Sequence, residues 1–342
     1  MKKLCLLVTL ALSLSLCAAD QNKSLSIYWL DTEGGAATLI VTPAGESVLI
    51  DTGNPGNRDA QRIHKTATET AGLKHIDHLI TTHYHIDHFG GAAELAALMP
   101  IKTVWDNGTF EGQTEKPSKN YQLFPSEKRA VLNPGDEIPL KAAEGAAPLK
   151  LRCIGTRKQF IAAPEGAEKF AGEAPKQKAP DLSDNANSIV MLLSFGEFRF
   201  FCAGDLTWNI EEKLVNPVNL VGTVDIYQAT HHGLDISNNP VVVKALQPTV
   251  VAMMNGTSKG CGPESFATFK SVPSIQALYQ IHKNLRKDGD TVNTDEALIA
   301  NMEAKCEAHF IACSVAPDGS TYTMKIPAKK HEKSFATKAK RK

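Results

Sequence analysis

Beyond its first twenty positions the chain contains no apolar run approaching the roughly 20 residues of a membrane-spanning helix, which excludes a multi-span membrane protein. Aromatic residues are scarce, at 6%, and 37 basic side chains are balanced by 37 acidic ones, so an overall basic nucleic-acid binder is disfavoured. Cysteine is scarce as well. Two of the seven lie in the first twenty residues, and the odd five that remain (Cys153, Cys202, Cys261, Cys306 and Cys313) do not form a disulfide framework. No repeat at a solenoid period is present.

The charged start Met1-Lys2-Lys3, the apolar stretch 4–16 and Cys17-Ala18-Ala19 read as a secretory signal peptide over residues 1–19. Lipid anchoring at Cys17 is the less favoured alternative, because bulky Leu16 precedes it. The expected location is the periplasm or the extracellular space of a bacterium. Without Lys2 and Lys3 the net charge is −2, yet residues 329–342 hold seven basic side chains against one acid, Glu332. That stretch is expected to be a disordered tail able to contact anionic surfaces, and no specific nucleic-acid motif accompanies it. Residues 20–328 are expected to form one large domain, since a chain 42% hydrophobic and 22% charged can bury a sizeable core.

Alternating β-like runs open that domain at 26–30, 37–41 and 47–50, with a turn at Thr42-Pro43-Ala44-Gly45. A helix at 59–71, a strand at 78–81, a short helix at 92–98 and a strand at 102–105 follow in an α/β rhythm. The pattern weakens from about 108 to 183, which reads as a mobile insertion holding one clear strand at 149–154. A second hairpin at 188–203, buried strands at 224–229 and 249–254, a helix at 274–283 and a last hairpin around Pro317-Asp318-Gly319 complete the chain.

The chemistry is concentrated in Thr81-Thr82-His83-Tyr84-His85-Ile86-Asp87-His88-Phe89-Gly90-Gly91, with three imidazoles and a carboxylate in six residues. An extended backbone points His83 and His85 to one side, and the turn toward Gly90-Gly91 swings Asp87 and His88 to a neighbouring point. Two such points suit a two-metal hydrolytic site, most simply of zinc, with manganese or iron as alternatives. Asp205 and His231-His232-Gly233 also lie just beyond apolar strands, on the rim where α/β sheets build ligand sites. Asp205 is expected to bridge the metals. His231 is the favoured further ligand, and His232 is left to act on substrate or leaving group.

The pattern His83-x-His85-x-Asp87-His88, with Asp51-Thr52-Gly53 before it and Gly204-Asp205 and His231-His232-Gly233 after it, resembles the metallo-β-lactamase-fold hydrolases over most of residues 25–326. Asp31-Thr32-Glu33-Gly34-Gly35 and the stretch 184–190 are most similar to the metallo-hydrolase domain of ComEC-type DNA-uptake proteins and related phosphodiester or phosphocholine esterases. The resemblance implies an α/β, four-layer αβ/βα sandwich with a dinuclear site between two internal mixed sheets. One departure stands out. Many relatives place a further histidine before the bridging acid, whereas this chain has none from Phe89 to Thr230. Asp184, Asn185 or Asn187 are the candidate oxygen substitutes, with Asn187 also a candidate substrate contact. A more positive metal pair favours an anionic phosphoester, small or polymeric, over a lactam.

The expected mechanism is hydrolysis by a hydroxide held between the metals and oriented by Asp87, with Asp51 acting from behind the ligands. Asn255 and Lys259, in a later Gly-rich loop, are candidate substrate contacts. A lactone or β-lactam hydrolase and a non-catalytic, metal-stabilised binding protein are the alternatives.

Overall fold

The computed structural model of the protein describes residues 23–338 apart from 168 and 174, so the signal-peptide reading of 1–19 lies outside the described residues. The first part of the chain supplies β1 (Leu25–Trp29), β2 (Thr38–Val41), β3 (Ser47–Ile50), β4 (Ile76–Ile80), β5 (Ile101–Asp106) and β6 (Lys128–Val131). The middle supplies β7 (Leu149–Thr156), β8 (Gln159–Phe160), β9 (Val190–Phe195), β10 (Phe198–Cys202), β11 (Ile226–Gln228), β12 (Val250–Met253), β13 (Ala277–His282) and β14 (Ile299–Asn301). The end returns with β15 (Ile311–Val315), β16 (Thr321–Ile326) and β17 (His331–Ala336).

These strands make two mixed sheets, ordered β17-β16-β15-β1-β2-β3-β4-β5-β6 and β14-β13-β12-β11-β10-β9-β7-β8. In each, antiparallel hairpins give way to a parallel run, β3 to β6 in one sheet and β10 to β14 in the other. Parallel neighbours need crossovers, which is why helices such as Arg58–Lys65, Ala92–Leu98, Pro240–Leu246 and Pro263–Ser271 fall between them. The apolar side chains divide into three clusters. One is shared by both sheets and includes Trp29, Ile50, Phe200 and Tyr279. The second packs Tyr227 and Val251 against Val243 and Phe269, and the third packs Leu49 and Leu79 against Ile63 and Leu95. An inter-sheet core with a helix-facing core on either side is the expected four-layer αβ/βα sandwich. Trp29 spans the middle layer, edge-on to Phe200 at 5.6 Å, with its Nε1–H donating to Gln228 Oε1 at 2.9 Å.

Three expectations need correction. Residues 274–283 have apolar side chains at helical spacing, yet 277–282 is strand β13, every residue of it buried between β12 and β14. A strand covered on both faces has no polar alternation to betray it. The basic stretch from Lys329 is not a disordered tail throughout, because β17 pairs with β16 along its whole length and stacks Phe335 on Tyr322 at 5.3 Å. One buried aromatic ring anchors a strand whose single lysine, Lys333, is exposed. The segment 108–183 also holds more structure than expected: besides the expected strand, β7, which pairs with β9, it supplies β6 to the first sheet and β8 to the second. Residues 176–178 lie against Trp208, whose Nε1–H donates to the Lys176 carbonyl at 3.2 Å.

Candidate metal centre

The parallel strands end on one rim, and each end carries a chemical group. After β4 come His83, His85, Asp87 and His88; after β10, Asp205; after β11, His231 and His232; after β3, Asp51. Gly204 lets Asp205 approach, since its φ of 52° is left-handed and a Cβ there would lie 2.9 Å from the Thr82 side chain. Gly35 has a similar reason to be glycine, because a Cβ would stand 2.6 Å from the Asp87 carbonyl oxygen. The Asp31-Thr32-Glu33-Gly34-Gly35 loop thereby buttresses the Asp87 turn. Its acids are neutralised from behind: Asp31 Oδ1 is 2.7 Å from His282 Nε2, Asp31 Oδ2 is 3.2 Å from Arg62 Nη1, and Glu33 pairs with Arg58 and Arg62.

Asp205 is the hub. Its Oδ2 lies 3.1 Å from His88 Nε2, 3.3 Å from His232 Nε2, 3.4 Å from His231 Nε2 and 4.0 Å from His83 Nε2. Two donor groups share it. One comprises His83, His85 and Asp205, the other Asp87, His88, Asp205 and His232. In the second group Asp87 Oδ2 stands 3.3 Å from His232 Nε2 and 3.6 Å from His88 Nε2. His83 Nε2 is fully buried with no hydrogen-bond partner, as expected of a nitrogen kept for a cation. Nitrogen and carboxylate donors gathered around one shared oxygen fit a pair of divalent ions.

The two histidines of the pair sit differently about Asp205. His232, expected to act on substrate, lies inside the second donor group, whereas His231 stands outside it and places Nδ1 3.3 Å from Ser237 Oγ. Both residues have left-handed backbones, φ 53° and 56°, which turns consecutive imidazoles apart. His232 Nδ1 is 3.0 Å from the Met254 carbonyl, and this contact aims Nε2 at the cluster.

Burial opposes the charged forms of Asp87, Asp205, His83, His88, His231 and His232, and the neighbours decide the outcome. His88 and His232 hold Asp87 far below the ordinary carboxylate range, and His231, His232 and His88 do the same for Asp205. In turn Asp205, Asp51 and Asp87 lift His88 well above a free imidazole, and Asp205 and Asp87 lift His232. Burial prevails at His83, which falls well below its ordinary value, and at His231, pushed down to about 4. Ionised Asp87 and Asp205 and a neutral His83 are the protonation states a cation requires, whereas His88 and His232, raised in its absence, would each give up a proton on binding one.

Behind the donors, Asp51 takes the place expected of it. Its Oδ2 is 2.8 Å from His88 Nδ1, and Oδ1 and Oδ2 accept from the Thr82 N–H and hydroxyl, each at 2.8 Å. Lys259 ion-pairs with Asp87 and keeps a 38% exposed side chain. Asn255 does not face the site. Its amide donates to the Gly256 and His282 carbonyls, since its loop must be closed from within. Asn187 is likewise spent, donating to Asp184 Oδ1 at 3.1 Å, while Asp184 Oδ2 accepts the Tyr84 N–H at 2.8 Å and so holds the loop between His83 and His85. Sequence reasoning missed Ser188, whose hydroxyl accepts the Asp205 N–H, and Glu115, 3.7 Å from His85 Nε2. Neither carries a local signal.

Glu211 was missed as well. Burial pushes its carboxyl up to about 7, with one oxygen accepting the Asn239 N–H at 2.8 Å beneath the His231-His232 turn. A folded-state value above the ordinary one means the native state binds the proton more tightly. This contribution to stability is full below about pH 4.5 and is lost as pH rises through 7. Urea melts from pH 5 to 8 should show stability falling, by up to about 1.4 kcal/mol per pKa unit of displacement, and Glu211→Gln should flatten that slope. Parallel slopes for parent and variant would show that Glu211 titrates normally.

A two-sheet α/β sandwich with metal donors on one strand-end rim defines the class of this protein. Residues 30–156 match the family model described as the Metallo-beta-lactamase superfamily. It is similar to Competence protein ComA of Neisseria gonorrhoeae, 24% identical over 241 residues, which are 70% of this chain and 28% of that protein. It is also similar to a UPF0173 metal-dependent hydrolase of Cupriavidus metallidurans, 34% identical over 85 residues, 24% of this chain and 26% of the relative. The match thus spans about a quarter of the length of these curated relatives. Among solved structures, a motif mutant of a metallo-beta-lactamase from Cronobacter sakazakii aligns with a TM-score of 0.35 at 17% identity, over 59% of this chain and 75% of that one. No helix among the described residues is long and apolar enough to cross a membrane.

Proposed function

We propose that the protein is an exported metal-dependent hydrolase that cleaves a phosphodiester or another anionic phosphoester at a two-cation centre, most simply of zinc. The observation that carries this reading is Asp205 Oδ2 standing within 3.1 to 4.0 Å of four imidazole nitrogens and belonging to both donor groups. His83, His85 and Asp205 would hold one ion, and Asp87, His88, Asp205 and His232 the other. When bound there, such ions would supply Lewis acidity and lower the pKa of water toward neutrality.

The chain's own groups do the rest. Asp87, ionised and held by His232 and Lys259, orients the attacking water and accepts its hydrogen bond. Lys259 presents an exposed ammonium at the mouth, where an anionic ester oxygen would exchange for part of its pairing with Asp87. Two residues beyond Asp205 begins a groove of about 480 Å³ lined by Leu182, Thr207, Trp208 and Ile236, an apolar wall for an ester substituent. The basic C-terminal residues would keep the protein near anionic polymers or surfaces.

A panel of bis-p-nitrophenyl phosphate, p-nitrophenyl phosphorylcholine, a lactone and a cephalosporin tests the substrate class. Phosphoester turnover is expected, with Lys259→Ala raising KM about tenfold through loss of one charged contact and also lowering kcat, because Asp87 loses a group that holds it. Turnover of the lactone or cephalosporin with kcat/KM above about 10⁴ M⁻¹s⁻¹, and of no phosphoester, would replace this reading with the neutral-ring alternative.

A further inference from the structure

We propose that Glu115 is a ligand of the first metal site, in the place of the imidazole that the chain lacks between Phe89 and Thr230. The inference rests on the two-cation reading above. Asp205 is shared, so among the described residues His83 and His85 are the donors that this site has to itself. Of the oxygens named from the sequence, those of Asp184 accept from the Tyr84 N–H and from the Asn187 and Asn107 amide nitrogens, while Asn185 Oδ1 is buried without a partner and is the rival donor.

Glu115 arrives from elsewhere, on the loop that follows β5. Its Oε1 lies 3.7 Å from His85 Nε2. Two donors about 2.1 Å from one ion at a tetrahedral angle stand roughly 3.4 Å apart, so this separation is close to that of co-ligands. Its Oε2 accepts the Asp184 N–H at 2.8 Å, which fixes the carboxylate with Oε1 turned toward His85. Independently, the fully buried His83 Nε2 has no partner. Glu115 stands outside the tight grouping of His83, His85 and Asp205, on the side of the partly exposed His85, so coordination draws it inward.

Two imidazoles with two carboxylates make a harder donor set than three imidazoles and one carboxylate, and such a site accepts manganese more readily. Glu115 also joins the site to the end of the 161–183 segment through the Asp184 N–H, and its neighbour Thr114 donates to the Leu182 carbonyl at 3.2 Å.

Calorimetric titration of the metal-stripped full chain with Mn²⁺ and with Zn²⁺, alongside Co²⁺ absorption spectra, tests this assignment without reference to turnover. The parent should take up two equivalents. Glu115→Gln should keep one equivalent unchanged and weaken the other about tenfold or more, and Glu115→His should restore both while shifting the weaker site from manganese toward zinc. If the parent takes up two ions and Glu115→Gln binds both as the parent does, the assignment of Glu115 is overturned and the two-cation reading stands. If the parent takes up one ion or none, the two-cation reading falls and the inference with it.

Discussion

Asp205→Asn should lower kcat/KM on a phosphodiester by on the order of a hundredfold or more, about 2.7 kcal/mol of transition-state stabilisation. The carboxylate contacts both donor groups through a single oxygen, so one isosteric change acts on both sites. It also removes the anion that keeps His88 and His232 above their ordinary values, despite burial that pushes the other way. The backbone should hold, because the Asp205 N–H donates to Ser188 Oγ and the His231 N–H to the Gly204 carbonyl at 3.0 Å, and neither bond involves the changed side chain. Steady-state kinetics with elemental analysis of the same sample decides it. A variant with parental activity and two bound ions would show that the centre does not depend on a shared carboxylate.

Treatment with a strong chelator should abolish hydrolysis, and added Mn²⁺ or Zn²⁺ should restore it. His85→Ala and Asp87→Ala should each lower the metal content, by different routes. His85 belongs to the first donor group and is partly exposed, so its loss empties the site that is already short of an imidazole. Asp87 belongs to the second group, and its removal also leaves Lys259 unpaired beside His232 and His88, adding a repelling cation where a metal ion should sit. Elemental analysis after gel filtration reads both effects. Parental metal content in both variants would mean that these residues are not ligands.

The donor positions were legible because they follow a local rule. An apolar run ending in a short His/Asp cluster marks a strand whose C-terminal end can carry ligands, and β4, β10 and β11 each end beside such a candidate group. The hairpins at the start of each half were legible for the same local reason, alternation broken by turn residues. What failed was of another kind. Strand β13 imitates a helix because burial on both faces removes the period that distinguishes them, and β17 looks like a solvated tail because its packing is concentrated in Phe335. Asn255 looked like a substrate contact because a Gly-rich loop beyond a strand suggests one, yet its amide closes that loop.

The sequence by itself determined the residue types of the candidate site, their order along the chain and the α/β rhythm, because each depends on periodicity and composition within a dozen residues, whereas the two-sheet sandwich was implied by the resemblance of its motifs to a known family. The tertiary structure alone decided which imidazole of His231-His232 enters the centre, since this turns on two consecutive left-handed backbones and on the Met254 carbonyl that orients one ring. It alone brought Asp31 to His282 and Glu115 to His85, pairs separated by most of the chain or by the helix 92–98 and β5. It also set the protonation of the centre: burial works against charge at Asp205, His88 and His83, and only the packing of four sequence segments around Asp205 determines where neighbouring charges overcome it.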